Sequence, residues 1–228
     1  MFCSKERKTS LKALCNNNQN LAQVHIYTDG SLREEQKSIK KLGYAYIQIG
    51  ANDNIICKVR GRTDNWALST RAELMAILEA LLISPEKCEA NIYTDSATAI
   101  QAISKSKKRK AREWLKSTNT AILKAIKLIV ETKNISLVLH KIKAHTGIKE
   151  NEIADIGAKK GTEEGKIVRV QQTQIKNAVF STLWRGIEIE RPIRKFIKKL
   201  NSSIAKSEWV FVRGEKDKIH RNRKDNMS

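Results

Sequence analysis

Cysteine is scarce in this chain and poorly placed for chemistry. Cys3, Cys15, Cys57 and Cys88 are scattered, with no CxxC pair and no histidine nearby at ligand spacing. That argues against a zinc site or a disulfide framework and fits a reducing compartment. No apolar run approaches the ~18–20 residues needed to cross a bilayer, and the opening MFCSKERKTS lacks the apolar stretch of a secretory signal. The expectation is a soluble intracellular protein without a membrane partner, in nucleus or cytoplasm. Acidic residues are also short, 24 against 44 Lys and Arg, for a net charge of +20. Such an excess attracts polyanions, most often nucleic acid, because binding them releases counterions. A basic surface that binds nothing in particular remains open on charge alone. Hydrophobic residues, at 40%, are on the low side, yet 228 residues suffice for one substantial core with material left over.

What is present begins with a repeated tetrapeptide: Ile-Tyr-Thr-Asp occurs in HIYTDGS (25–31) and NIYTDSA (91–97). The copies lie 66 residues apart and their surroundings do not match, whereas solenoid repeats have periods of about 20–50 residues and need several copies. The match is therefore one of position in a fold. Residues 1–20 are polar and basic and read as a lead-in, with order starting at QVHIYTDGS. LGYAYIQIG and NIICKVRGR, separated by ANDN, read as antiparallel strands. STRAELMAILEALLIS is a helix, with Ser69 or Thr70 as cap, Glu73 at the capping-box position and Pro85 beyond its end. ANIYTDSA is a fourth strand, two helices follow with a basic joint at Lys105–Arg112, ISLVLHKIKAH is a fifth strand, and KENEIADIGAKK is a helix. The order β-β-β-α-β-α-α-β-α implies a mixed sheet with helices packed on it. Beyond Gly165, a basic helix is expected near Pro192 and a short strand at EWVFVRG, with the last dozen residues disordered.

Asp29 and Asp95 each end a predicted strand. If those strands are parallel neighbours the carboxylates stand side by side, where sites in such sheets tend to lie. Taken singly, either could be turn punctuation. Glu73 shares a helical face with Ala76, Ile77 and Ala80, and a carboxylate on a core-facing side is costly unless something positive meets it. No Lys or Arg on that face does so; a metal ion would. Oxygen ligands suit Mg²⁺, and two such ions suit in-line displacement at phosphorus.

Four segments, YTDGS (27–31), STRAELMAI (69–77), YTDSATAI (93–100) and IKAHTGIKENEIAD (142–155), resemble the signature segments of type 1 ribonuclease H, in that family's order. The resemblance implies an α/β ribonuclease H-like fold with a five-stranded mixed sheet over residues 21–164, followed by a basic, partly disordered extension at 165–228. It implies an endonuclease cutting the RNA strand of RNA–DNA hybrids with two Mg²⁺ ions, Mn²⁺ being the alternative, and no small-molecule organic cofactor. Asp29, Glu73, Asp95 and Asp155 become the metal-binding acids, Asp29 bridging both ions, and His145 a catalytic histidine assisting proton transfer or product departure. Substrate contacts are expected from Gly30, Ser31, Ser69, Thr70, Arg71 and Ser96, and from Lys107, Lys108, Arg109 and Trp114 at the basic joint. Ser69, Thr70 and Ala97 depart from the Asn and Gln that the family commonly uses near RNA 2′-hydroxyls. The alternative is a weak or inactive hybrid-binding module of the same fold. Such domains commonly follow a reverse transcriptase in retroelement polyproteins. Nothing in the sequence fixes the oligomeric state.

Overall fold

The structure, a computed structural model, describes residues 4–35, 39–144, 146–170 and 182–225. Strands β1 (Gln23–Glu35), β2 (Ile39–Ile49) and β3 (Ile55–Thr63) form an antiparallel meander. The β2–β3 turn is closed by Gly50 N–H on the Asn54 carbonyl at 2.8 Å, with Asp53 in the left-handed region at φ 55°. β4 (Glu89–Thr94) pairs in parallel with β1, and β5 (Ser136–Lys141) in parallel with β4, giving the order β3-β2-β1-β4-β5.

Parallel neighbours need long connections, and the helices supply them. In this numbering α1 is kept for an N-terminal helix (Lys5–Asn17); α2 (Ser69–Ile83) leads into β4, and α3 (Ala97–Ser106), the short α4 (Ala111–Trp114) and α5 (Thr120–Thr132) lead into β5. Strand alternation divides the sheet into two faces. Val24, Ile26, Tyr44, Tyr46, Ala90 and Ile92 are buried in the main core with α2, which has 12 of its 15 residues buried, and with α3 and α5. On the other face α6 (Lys149–Glu164) covers β1–β3, where Ile47 and Ile49 meet Ala154. Gly43 allows that contact, since a Cβ there would overlap the Ala158 carbonyl and the Thr162 amide. Beyond α6 the same face carries a ring stack: Tyr27 on Tyr93 at 4.6 Å and Tyr93 on His140 at 4.5 Å.

Where the sequence suggested a lead-in, residues 5–17 form α1, capped by Ser4, whose Oγ accepts from Arg7 N at 3.2 Å. Leu11 enters the core, and Arg7 pairs with Glu79, which is fully buried on α2 and also accepts from the Tyr44 hydroxyl at 2.8 Å. Asn18 and Gln48 exchange amide hydrogen bonds at 3.0 and 2.9 Å. These anchors are mostly polar, so hydrophobic periodicity carries little trace of them.

After α6 the chain runs beside β3, with Arg62 N bonded to the Lys166 carbonyl (3.1 Å) and Val168 N to the Arg62 carbonyl (2.7 Å); Val168 and Val170 join the core. A hairpin of β6 (Leu183–Trp184) and β7 (Ile187–Glu188) leads to α7 (Ile193–Asp225), which starts just after Pro192 as expected. One expectation fails here: EWVFVRG lies inside α7 rather than in a strand. A lone strand has no ladder to join, whereas a helix satisfies its own backbone groups. Among the described residues no helix is long and apolar enough to cross a membrane.

Removing the Arg7 guanidinium strands a buried carboxylate. Arg7→Ala is expected to cost about 3 kcal/mol in urea melts at neutral pH, part of it regained at low pH as Glu79 takes a proton. Unchanged stability would show that α1 is not held by this pair.

Candidate metal centre

The parallel register Tyr27↔Tyr93 brings Asp29 and Asp95, each two residues further along the chain, to the same end of the sheet. α2 delivers Glu73 to the same place. It comes so close to β1 that a Cβ at Gly30 would overlap the Glu73 amide nitrogen and the Ala72 carbonyl carbon. Gly30 therefore sets how near the helix lies to the strand, rather than offering a side chain to a ligand. The result is one carboxylate oxygen from each of Asp29, Glu73 and Asp95, all within 4.8 Å of one another.

Burial, reinforced by Asp95 and Asp155, pushes Asp29 up to about 7. Burial, with Asp29 and Asp95 beside it, pushes Glu73 up to about 9. The Gly30 amide bonds toward both and works against the shift. Glu73 Oε2 is buried with no hydrogen-bond partner. Three crowded carboxylates, one with an unpartnered oxygen, form an all-oxygen donor set of the kind that takes a hard divalent cation. Glu73 does not serve as the capping-box residue that its position suggested. The N-cap of α2 is Leu68 with no side-chain cap bond, and Ser69 and Thr70 lie inside the first turn.

Asp155, on α6, is near enough to act on Asp29, but its Oδ2 is held by Lys159 Nζ at 2.6 Å and it stands outside the three-carboxylate cluster. Lys159 is a cation at the site that the sequence reading passed over; its i,i+4 spacing from Asp155 was the available signal. His145 lies outside the described residues.

The expected substrate contacts divide. Ser69, Thr70, Ser96 and Ser31 are at least partly exposed. Ser96 caps α3 by accepting from Ala99 N at 3.3 Å, and its hydroxyl shares a hydrogen bond with Thr98, which shares another with Thr70. Thr98, not singled out beforehand, thus joins a hydroxyl chain linking the starts of α2 and α3. Lys107 and Lys108 are exposed at the joint after α3. Trp114 is half-buried against the core, with the Arg109 guanidinium 5.2 Å and Lys124 Nζ 5.6 Å from its ring centre. It stacks on cations of its own chain. Arg71, expected among the substrate contacts, is only 3% exposed and its guanidinium is turned inward and paired with Glu190.

The sequence profile of the RNase H family matches residues 21–163, more than half of the chain. The chain belongs to the RNase H family. As an enzyme of that family it is similar to the Ribonuclease H of Desulforamulus reducens, 30% identical over 149 residues that cover 61% of this chain and 87% of that protein. Its RNase H fold is shared with two solved structures, each at a TM-score of 0.50. One is the solution structure of the PFV RNase H domain, at 18% identity, covering 61% of this chain and 93% of that one. The other is the foamy viral protease-reverse transcriptase in complex with RNA/DNA hybrid, at 16% identity, covering 61% of this chain and a fifth (20%) of that one.

The raised carboxyls predict a pH signature for the metal-free RNase H. The folded state holds protons at Asp29 and Glu73 more tightly than the unfolded chain does, so stability falls as pH rises from about 4.5 toward 9. Thermal melts in chelator should show this slope. Glu73→Gln should flatten it, and so should Mg²⁺ in the wild type. Equal slopes in wild type and Glu73→Gln would refute the assignment.

Proposed function

We propose that the chain hydrolyses the RNA strand of RNA–DNA hybrids at the carboxylate cluster, with divalent cations held by Asp29, Glu73 and Asp95 and with Asp155 beside them. The carrying observation is the convergence of three carboxylates within 4.8 Å, one oxygen of Glu73 being buried and unpartnered. Family membership, and a complex with RNA/DNA hybrid for the foamy viral relative in fold, support this substrate.

Mg²⁺, or Mn²⁺ in its place, fits the donor set; Asp29, Glu73 and Asp95 would hold two such ions, which would supply an activated water and charge neutralisation at the departing oxygen. The chain's own residues do the rest. Asp29 and Glu73 must give up any protons they hold for the cluster to ligate, which ties metal loading to pH. Lys159 Nζ donates to Asp155 Oδ2, a contact that would compete with a cation for that oxygen. Ser69, Thr70, Thr98 and Ser96, at least partly exposed at the starts of α2 and α3, carry hydroxyls of the class that can bond a ribose 2′-hydroxyl. The exposed Lys107 and Lys108 offer phosphate contacts that position without reading sequence. His145, in the segment before α6, is proposed to assist proton transfer or product departure.

A labelled hybrid, incubated with Mg²⁺, with Mn²⁺ and with chelator beside duplex DNA, duplex RNA and single strands, tests the reading. Metal-dependent cutting confined to the hybrid's RNA strand, abolished in Asp95→Asn, is the expected result. Tight hybrid binding without cutting under either metal would leave the inactive binding module instead. His145→Ala should slow turnover by roughly 10²-fold, well short of the loss in Asp95→Asn; complete loss would give it a ligating or structural part.

A further inference from the structure

Two helices near the metal centre begin without a side-chain cap. The N-cap of α2 is Leu68, and that of α5 is Asn119, in the left-handed region at φ 54°. An uncapped first turn leaves amide hydrogens without partners and is prone to open. Glu73 sits in the second turn of α2, so its place at the cluster depends on that start holding.

What holds it comes from beyond the 21–163 region that the family profile matches. Glu190 is 2% exposed. One of its carboxylate oxygens accepts from Ala121 N at 3.0 Å, in the first turn of α5, and the other from Arg71 Nη1 at 3.1 Å. Its main-chain carbonyl accepts from Asn119 N at 3.2 Å. Arg71 also donates from Nε to the Asp64 carbonyl (3.2 Å) and from Nη1 to Asn119 Oδ1 (3.5 Å). Alongside, Trp66 Nε1 donates to the Glu188 carbonyl at 2.6 Å while its ring meets Phe196 edge-on, and Arg169 is paired with the Asp64 carboxylate. Three stretches distant in sequence close on one buried ion pair: the β3–α2 loop with the first turn of α2, the start of α5, and residues 188–190.

We propose that residues 182–192 complete the catalytic unit, with Glu190 acting through Arg71 as a positioning residue that seats the first turn of α2 and thereby sets Glu73 and the Ser69–Thr70 rim. A carboxylate at the N-terminal end of α5 also lies where the helix dipole favours it. Arg71 is two residues before Glu73 on the same helix, so a loosened anchor shifts the acid directly. The inference rests on the proposed hydrolase only for its activity readout; metal binding reads it independently.

The test uses the full chain as wild type, Glu190→Ala, Glu190→Gln and Trp66→Phe. Arg7→Ala, whose lost partner Glu79 lies about two turns beyond Glu73 on α2, serves as a control destabilised without touching the Glu190–Arg71 pair. Mn²⁺ affinity is measured by titration calorimetry, stability by melting, and kcat and KM on a hybrid at a temperature where every variant is folded. Glu190→Ala should weaken Mn²⁺ binding about tenfold and lower kcat by roughly 10- to 100-fold, as small misplacements of reacting groups do. KM should change less than kcat. Glu190→Gln, which keeps an acceptor for Ala121, and Trp66→Phe should fall between, and they carry the comparison if Glu190→Ala does not fold. Arg7→Ala should bind Mn²⁺ like wild type despite its lower melting point. If the Glu190 variants melt lower yet match Arg7→Ala in Mn²⁺ affinity and kcat, the node is only structural and the proposal falls. If the wild type binds Mn²⁺ but cuts no hybrid, the hydrolase reading fails while the Mn²⁺ comparison still decides the positioning role. A wild type that binds no Mn²⁺ would overturn both.

Discussion

Like charges buried side by side repel, and the fold of this protein is organised around holding three of them together. Asp29 and Asp95 arrive at the ends of adjacent parallel strands, Glu73 on a helix pressed against the first strand, and burial deprives Asp29 and Glu73 of the water that would screen them. Those two carboxyls keep protons well above their ordinary range, or the cluster shares a cation. Features that look unrelated follow from this. Gly30 has no side chain because one would drive α2 off the strand. The hydrophobic mass of α2 supplies the binding energy that presses a carboxylate into the site against its own repulsion.

The sheet and its acids were legible in the sequence because they use signals of fixed period. Alternation marked the strands, and the repeated Ile-Tyr-Thr-Asp announced two equivalent strand ends. Glu73 stood out as a charge on an apolar helical face. The roles of individual polar residues were less legible. Ser69 and Thr70 look like caps, yet the helix begins without one. Arg71 follows two positions expected to meet substrate but turns inward to Glu190, a partner more than a hundred residues away that nothing local announces. Lys159 was visible only as an i,i+4 neighbour of Asp155.

The flanking segments explain the largest departures. α1 and the described residues 166–170 and 182–192 lie outside the region shared with the family, and polar contacts join Leu11, Val168 and Val170 in tying them in. Arg7 meets Glu79, Asn18 meets Gln48, and Glu190 meets Arg71. Each pair is formed by residues whose local sequences give no sign of burial, since a charge becomes tolerable inside only through a partner supplied by the tertiary fold. Such a domain extends further along its chain than its recognisable motifs do.

The ring stack on the open face of the sheet bears on the acids in a mechanical way. Tyr27 and Tyr93 lie face to face at 4.6 Å, two residues before Asp29 and Asp95 along the chain, and His140 extends the column across β5 at 4.5 Å. Repulsion between the two aspartates would tend to splay the strand ends, and splaying them means peeling these rings apart. The column therefore acts as a spacer bolted across three strands. It lets the electrostatic load at the sheet's end be carried in part by ring contacts between the strands rather than by the acids' own surroundings.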